Sequence, residues 1–178
     1  VYGLSYWKEA DHPDNGRKLR LFYGLVTAAL ACITIAANGI LFLIAWEVMA
    51  LSAFFLITTE DKDIAVRETG WVYLVATHLA TLCLFAMFAL LHSATGSFQL
   101  TQLADGALAP AIATTTFLFA VIAFGLKAGL MPFHMWLPGA HAMAPSHVSA
   151  LMSGVLIKIG IYGLIRVSSL LLQNPPLW

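Results

Sequence analysis

The sequence predicts an all-α integral membrane protein, a multi-span helical bundle with one discontinuous helix. Three observations carry that reading. Of 178 residues, 60% are hydrophobic and only 10% charged, with mean hydropathy +0.84; a soluble domain carries about a quarter charged residues. The apolar runs are long enough for helices to cross about 30 Å of hydrocarbon, which favours helices over a barrel. Glu47, Lys127 and Lys158 sit deep within those runs. A charge near the middle of a membrane helix costs roughly 2.5–3.5 kcal/mol on insertion scales, so three isolated charges cost about 8–10 kcal/mol. A chain that only anchored itself in lipid would not need them. The default inference is an ion or proton path, with the charges facing one another or internal water.

The elements follow in order. Residues 1–20 read as a polar loop after the tail of an earlier span, Val1 to Tyr6. Residues 19–59 are almost wholly apolar, too long for one crossing at about 1.5 Å per residue. Asn38-Gly39 is a turn dipeptide near the middle, which divides the run into spans at 20–37 and 40–58. A charged loop from Glu60 to Glu68 leads to a span at 70–92. A polar loop with Gly96, Asp105, Gly106 and Pro110 leads to a span at 111–131, broken at 132–145 by three prolines. The last span is 147–171, and Gln173 to Trp178 reads as a loop leaving it. The opening at Val1 and this ending suggest an internal stretch of a longer protein, a single transmembrane domain over 1–178. Lys8, Arg17, Lys18, Arg20, Lys62 and Arg67 fall on one side of this topology, which the positive-inside rule makes cytoplasmic. Arg166 is the exception, either snorkelling or paired inside the protein.

Glu47 lies near the centre of its span, in Ala45-Trp46-Glu47-Val48-Met49. It reads either as a structural pair or as a carboxylate that gains and loses a proton. Lys127 is flanked by Gly125 and Gly129, which let another backbone or water come close. Five residues on, Pro132 removes a backbone donor and should break the helix inside the membrane. Irregular backbone at that depth is tolerated only against protein or a wet cavity, and broken helices beside ionisable groups mark transporters. Lys158 is placed on one helical face with His147, Leu151, Gly154 and Tyr162. His147 and Lys158 could hold a water chain between them. His78, with Thr81 on its face, reads as a proton relay or as a neutral histidine bonded across helices.

Other chemistries fit poorly. Net charge is zero, which argues against nucleic acid as a partner. Cys32 and Cys83 lie in different spans and form no CxxC, so a cluster, a zinc site or a redox pair is not expected. His134, His141 and His147 are seven and six apart, which does not match a helical zinc site. His78 and His92, fourteen apart, have the spacing of transmembrane haem ligands. The second pair that a two-haem helix bundle needs would be His134 with His147, and Pro138 and Pro145 interrupt it. No bound cofactor, metal or catalytic residue is expected.

The run from Gly125-Leu126-Lys127-Ala128-Gly129-Leu130-Met131-Pro132 through Trp136-Leu137-Pro138-Gly139-Ala140-His141 to Ala144-Pro145-Ser146-His147 and Lys158, with Ala45-Trp46-Glu47 before it, closely resembles one family. It is that of the antiporter-like proton-translocating membrane subunits of respiratory complex I, of hydrogenase-4 and formate hydrogenlyase, and of multisubunit Na+/H+ antiporters. Thr77-His78 and Ala142-Met143-Ala144-Pro145-Ser146-His147 look most like the hydrogenase-4 component B branch. The resemblance covers nearly the whole chain. It implies a core of two inverted five-helix repeats, of which this chain is the first, helices four to eight. It implies a proton path through Glu47, Lys127 and Lys158, with His78 and His147 alongside and Pro132, His134 and His141 at a gate or cavity. It implies a non-redox proton-pumping subunit of an oxidoreductase complex of NADH-quinone oxidoreductase or hydrogenase type, with a Na+/H+ antiporter subunit as the alternative. Its partners would be other membrane subunits, lipid and protons or Na+, in a bacterial or archaeal cytoplasmic membrane. Where many relatives carry an acidic residue, this chain has Gly139, which weakens the idea of a charged gate there.

Overall fold

The computed structural model describes residues 16–100 and 108–171. The expected tail of an earlier span at Val1–Tyr6, Lys8, the Asp105-Gly106 loop tip and the closing segment from Gln173 lie outside the described residues. Among the described residues, five segments are long and apolar enough to cross a membrane. The first three are single helices, α1 (Gly16–Ile35), α2 (Gly39–Ile57) and α3 (Ile64–Thr95). The fourth is interrupted: α4 (Pro110–Ala128), a 3₁₀ turn (Phe133–Trp136) and α5 (Leu137–Met143). The fifth runs as α6 (Ser146–Leu151), a π turn (Met152–Leu156) and α7 (Lys158–Leu170).

Local chemistry sets the ends. The Asn38 side chain accepts from the Ile40 N–H at 2.7 Å, so the expected turn dipeptide is an N-cap that starts α2. Asp63 caps α3 in the same way through Ala65 N–H at 2.9 Å, and Gly96 closes it in a left-handed conformation. Those two signals extend α3 beyond the apolar window 70–92. Pro110 opens α4 in the first turn, where its missing N–H costs nothing.

The two ends of the bundle are tied differently. At one end the α1–α2 turn pairs with the segment after α3: Gly39 N–H donates to Phe98 O and Leu100 N–H to Ala37 O, both at 2.8 Å. Arg166 reaches the same place from α7. Its guanidinium donates to Ile33 O at 3.4 Å, to Ala36 O and to the Tyr162 hydroxyl at 2.9 Å, while Tyr162 donates to Thr34 O at 2.8 Å. Arg166 is therefore paired inside the protein, where a cation meets the negative end of the α1 dipole. At the other end Lys18 pairs with Asp61 at 3.5 Å and Arg67 donates to Asp61 O at 3.1 Å.

The core is aromatic and lies where α2, α3, α4 and α7 meet. Phe124 is edge-on to both Phe42 and Trp46, with ring centroids 6.1 and 5.6 Å away. α7 approaches α4 through Gly160, where a Cβ would stand 2.6 Å from Phe124 O and 2.8 Å from Ala128 N. Large apolar side chains such as Ile35, Val75 and Leu82 face outward, as a bilayer permits. In lipid no hydrophobic force pulls helices together, so close backbone approach and interior hydrogen bonds carry the association.

Candidate functional site: a buried lysine at a helix break

The break in the fourth span begins at glycine, three residues before the proline. Gly129 takes φ 65°, and the helix closes by Leu130 N–H to Gly125 O at 3.0 Å and Gly129 N–H to Leu126 O at 3.4 Å. Gly129 thus ends the helix, and Gly125 faces the Phe133 ring, at 3.3 Å from its would-be Cβ. Neither serves the open approach of water that the sequence suggested. The Leu126 carbonyl also receives the Trp136 indole N–H at 2.7 Å from the 3₁₀ turn. A carbonyl exposed by the break is thereby satisfied within the protein, which the membrane interior demands.

Lys127 sits in the last turn of α4 and is 2% exposed. Its ammonium donates to the Tyr73 hydroxyl at 3.2 Å. It lies 5.4 Å from the Tyr73 ring centroid and 5.8 Å from that of Trp46, within range of cation–π attraction. The Tyr73 hydroxyl is 3.5 Å from Ala50 O, and Trp136 stands edge-on to the Tyr73 ring at 5.2 Å. Tyr73 is about 14 Å along α3, and Ala50 about 16 Å along α2, so the site lies about three to four turns from where either helix starts.

Glu47 on α2 directly follows Trp46, whose ring lies 5.8 Å from the Lys127 ammonium. The ion-pair partner of Glu47 among the described residues is His78, with Nε2 3.9 Å from Oε2. The His78 Nδ1 lies 2.9 Å from Leu74 O, a contact only an N–H can make, so Nε2 is the nitrogen left to face the carboxylate. The other carboxylate oxygen, Oε1, and the Trp46 indole nitrogen are buried with no hydrogen-bond partner among the described residues. Buried polar atoms of this kind are the ones that hold internal water.

The remaining expected residues do not join this cluster. Lys158 is not buried: it stands on the exposed face of α7, with no ion pair or hydrogen bond among the described residues. A π turn precedes it: Ile157 N–H bonds to Met152 O at 3.1 Å, five residues back. The inserted residue shifts Lys158 by about 100° relative to His147, Leu151 and Gly154, while His147 and Tyr162 both still meet α1. His147 turns toward α1, with its ring 6.2 Å from that of Tyr23. His141 Nδ1 lies 2.7 Å from the Ser149 hydroxyl, linking α5 to α6. His134 and Pro132 are exposed at the break, and His92 stacks on Phe98 at 4.1 Å. Tyr73 and Trp136 were not legible as site residues. An aromatic in an apolar helix carries no mark of the lysine it meets 54 positions away.

The sequence and the fold both have relatives among known proteins. The profile described as NADH:quinone oxidoreductase/Mrp antiporter, TM, matches residues 36–178. The chain belongs to this family. Hydrogenase-4 component B of Escherichia coli (strain K12) is 34% identical over 180 residues, across all of this chain and 26% of that protein. Formate hydrogenlyase subunit 3 of the same organism is 34% identical over 178 residues, across all of this chain and 27% of that protein. Among solved structures, the Mrp complex from Dietzia sp. DQ12-45-1b superimposes with TM-score 0.77 at 30% identity, over 84% of this chain and 17% of that one. This chain of the NADH:quinone oxidoreductase/Mrp antiporter family spans about a quarter of the length of these curated relatives. Its five apolar segments are those of an antiporter-like membrane subunit.

Proposed function

We propose that this chain is part of a proton-translocating membrane subunit of a redox-driven complex, of the NADH:quinone oxidoreductase or membrane hydrogenase kind. The observation that carries the reading is Lys127: a buried amine, sealed from lipid, beside a broken helix and held by a neutral hydroxyl instead of a carboxylate. Such a lysine can keep or release its proton as a carboxylate approaches or withdraws. Glu47 is the group that supplies that influence, and its partnership with His78 leaves Lys127 to Tyr73, the separated state of such a cycle. His78 stands 3.9 Å from the Glu47 carboxylate, a gap that one water can bridge, so a proton could pass between them. When Glu47 draws close, Lys127 keeps its proton; when Glu47 withdraws, the proton moves toward Lys158. Lys158 hands it on where the exposed face of α7 meets other parts of the longer protein, and this gives an intramembrane charge a protein partner. Pro132, His134 and His141 would form a gate or cavity by the break, and His147 would lie along the path.

The subunit binds no redox cofactor itself; electron transfer elsewhere in the complex drives the cycle. The membrane is the cytoplasmic membrane of a bacterium or archaeon, with Arg17, Lys18, Arg20, Lys62 and Arg67 on the inner side. The test uses the full-length protein in its assembled complex in vesicles. Lys127→Ala should abolish proton uptake while electron transfer slows or uncouples; undiminished uptake removes Lys127 from the mechanism.

The likeness to the Mrp complex supports a second reading, a Na+/H+ exchanger subunit with no redox partner. Sodium-dependent proton movement in vesicles given no electron donor selects it.

A further inference from the structure

We infer that Tyr73 is the positioning residue that keeps Lys127 in one place in both of its protonation states. The inference rests on the proton-carrying role proposed for Lys127. Lys127 has a single hydrogen-bond partner among the described residues, and it is the Tyr73 hydroxyl at 3.2 Å. Both side chains are sealed, at 2% and 1% exposure. A carboxylate at that position would favour only the charged amine. A hydroxyl both accepts and donates. With the ammonium present, Nζ–H donates to Oη and the Oη–H points to Ala50 O, 3.5 Å away. With the neutral amine present, the Oη–H can turn and donate to the Nζ lone pair. The amine therefore never loses its partner, which matters where an unsatisfied polar group is costly.

The ring is held as firmly as the hydroxyl. Trp136 is edge-on to Tyr73 at 5.2 Å while its own N–H is committed to Leu126 O at 2.7 Å, one residue from Lys127. Lysine, tyrosine and helix break form one connected unit. The groups that face Lys127 from the packed elements are Glu47 and Trp46 on α2, Tyr73 on α3 and Trp136 on the 3₁₀ turn. From α7, Gly160 meets only backbone and the Ala128 methyl beside it. Glu47 is the one carboxylate in that set, and its carboxylate is paired with His78.

The test is Tyr73→Phe in the full-length protein within its complex, with donor-driven proton uptake followed in vesicles across pH. The ring and its cation–π contact stay, and only the hydroxyl is lost. Both states lose their partner, but the bond made by the charged amine is the stronger, so the alkaline limb of the uptake profile should move to lower pH by about one unit, about tenfold in the proton equilibrium. Assembly and uptake on the acid side should stay within about twofold. An unmoved profile overturns the inference, and so does a uniform loss at every pH with poor assembly. Should Phe fail to assemble, 4-fluorophenylalanine at position 73 fills the space of the hydroxyl with an atom that donates nothing and accepts weakly. It should move the limb the same way, and no movement overturns the inference. Lys127→Ala, run alongside, separates the two claims. If it spares uptake, the proton-carrying role fails; if it abolishes uptake and Tyr73→Phe leaves the profile unmoved, only the role of Tyr73 fails.

Discussion

Gly160→Ala is the smallest change that should disturb the lysine site from a distance. A methyl at position 160 would stand 2.6 Å from Phe124 O and 2.8 Å from Ala128 N, and ordinary contact begins at 3.4 Å. The α4 and α7 backbones must part by about 0.8 Å, the difference between 3.4 and 2.6 Å. Both obstacles are backbone and cannot rotate away, so the overpacking cost belongs near the top of the usual range, about 2–3 kcal/mol. Alanine recovers about 0.5–1 kcal/mol through helix propensity. The net is a destabilisation of about 1–2.5 kcal/mol. The neighbouring Gly163 is a useful contrast. A methyl there meets the Phe124 ring at 2.2 Å, a nearer contact with a side chain that can shift a little between Phe42 and Trp46. Gly160→Ala should therefore cost at least as much as Gly163→Ala despite the longer distance. It should also reach the site, because a shift of about 0.8 Å at Ala128 is enough to stretch the adjacent Lys127–Tyr73 bond beyond useful length from its 3.2 Å. The assay is thermal unfolding of the full-length protein in detergent, read by tryptophan fluorescence, beside proton uptake in vesicles. An unchanged midpoint with unchanged uptake would refute the reasoning.

Three further outcomes follow from the same geometry. Arg166→Gln should destabilise the protein by about 1–2 kcal/mol and raise hydrogen exchange over 33–40, and Arg166→Lys should restore only part of it, because an ammonium cannot reproduce the forked contact with Ile33 and Ala36. Trp136→Phe keeps the packing on Tyr73 but leaves the Leu126 carbonyl only the long 3.4 Å bond from Gly129 N–H, and thermal unfolding should show a loss of about 0.5–1.5 kcal/mol. Asp61→Asn removes an exposed pair with Lys18 and should change the unfolding midpoint by less than about 1 kcal/mol equivalent.

Much of the architecture was legible in the sequence, because hydropathy and length select membrane helices with few competitors. Boundaries were less so where a cap lay outside the apolar window: Asp63 and Gly96 lengthen α3 at both ends. The break in the fourth span was signalled by Pro132, but Gly129 ends the helix earlier. A glycine beside a lysine can mean close approach or a left-handed cap, and only the backbone distinguishes them. The π turn carries no residue signature, so the register of Lys158 was lost after Met152. Glu47 and Lys127 stood out because charges in apolar runs are costly. Tyr73 and Trp136 are ordinary aromatics until the fold brings them to Nζ. Arg166 could not be placed from sequence because its partners are carbonyls of a turn 130 positions earlier.

The most direct measurement is nitrogen NMR of the side-chain amine of Lys127 in the full-length protein in lipid, assigned by its loss in Lys127→Met and followed across pH. The account predicts a resonance that interconverts between ammonium and amine within the range in which the protein works, and that responds to Glu47→Gln. An ammonium that persists unchanged at every pH, indifferent to Glu47, would mean a fixed structural charge and would contradict a proton carrier at the helix break.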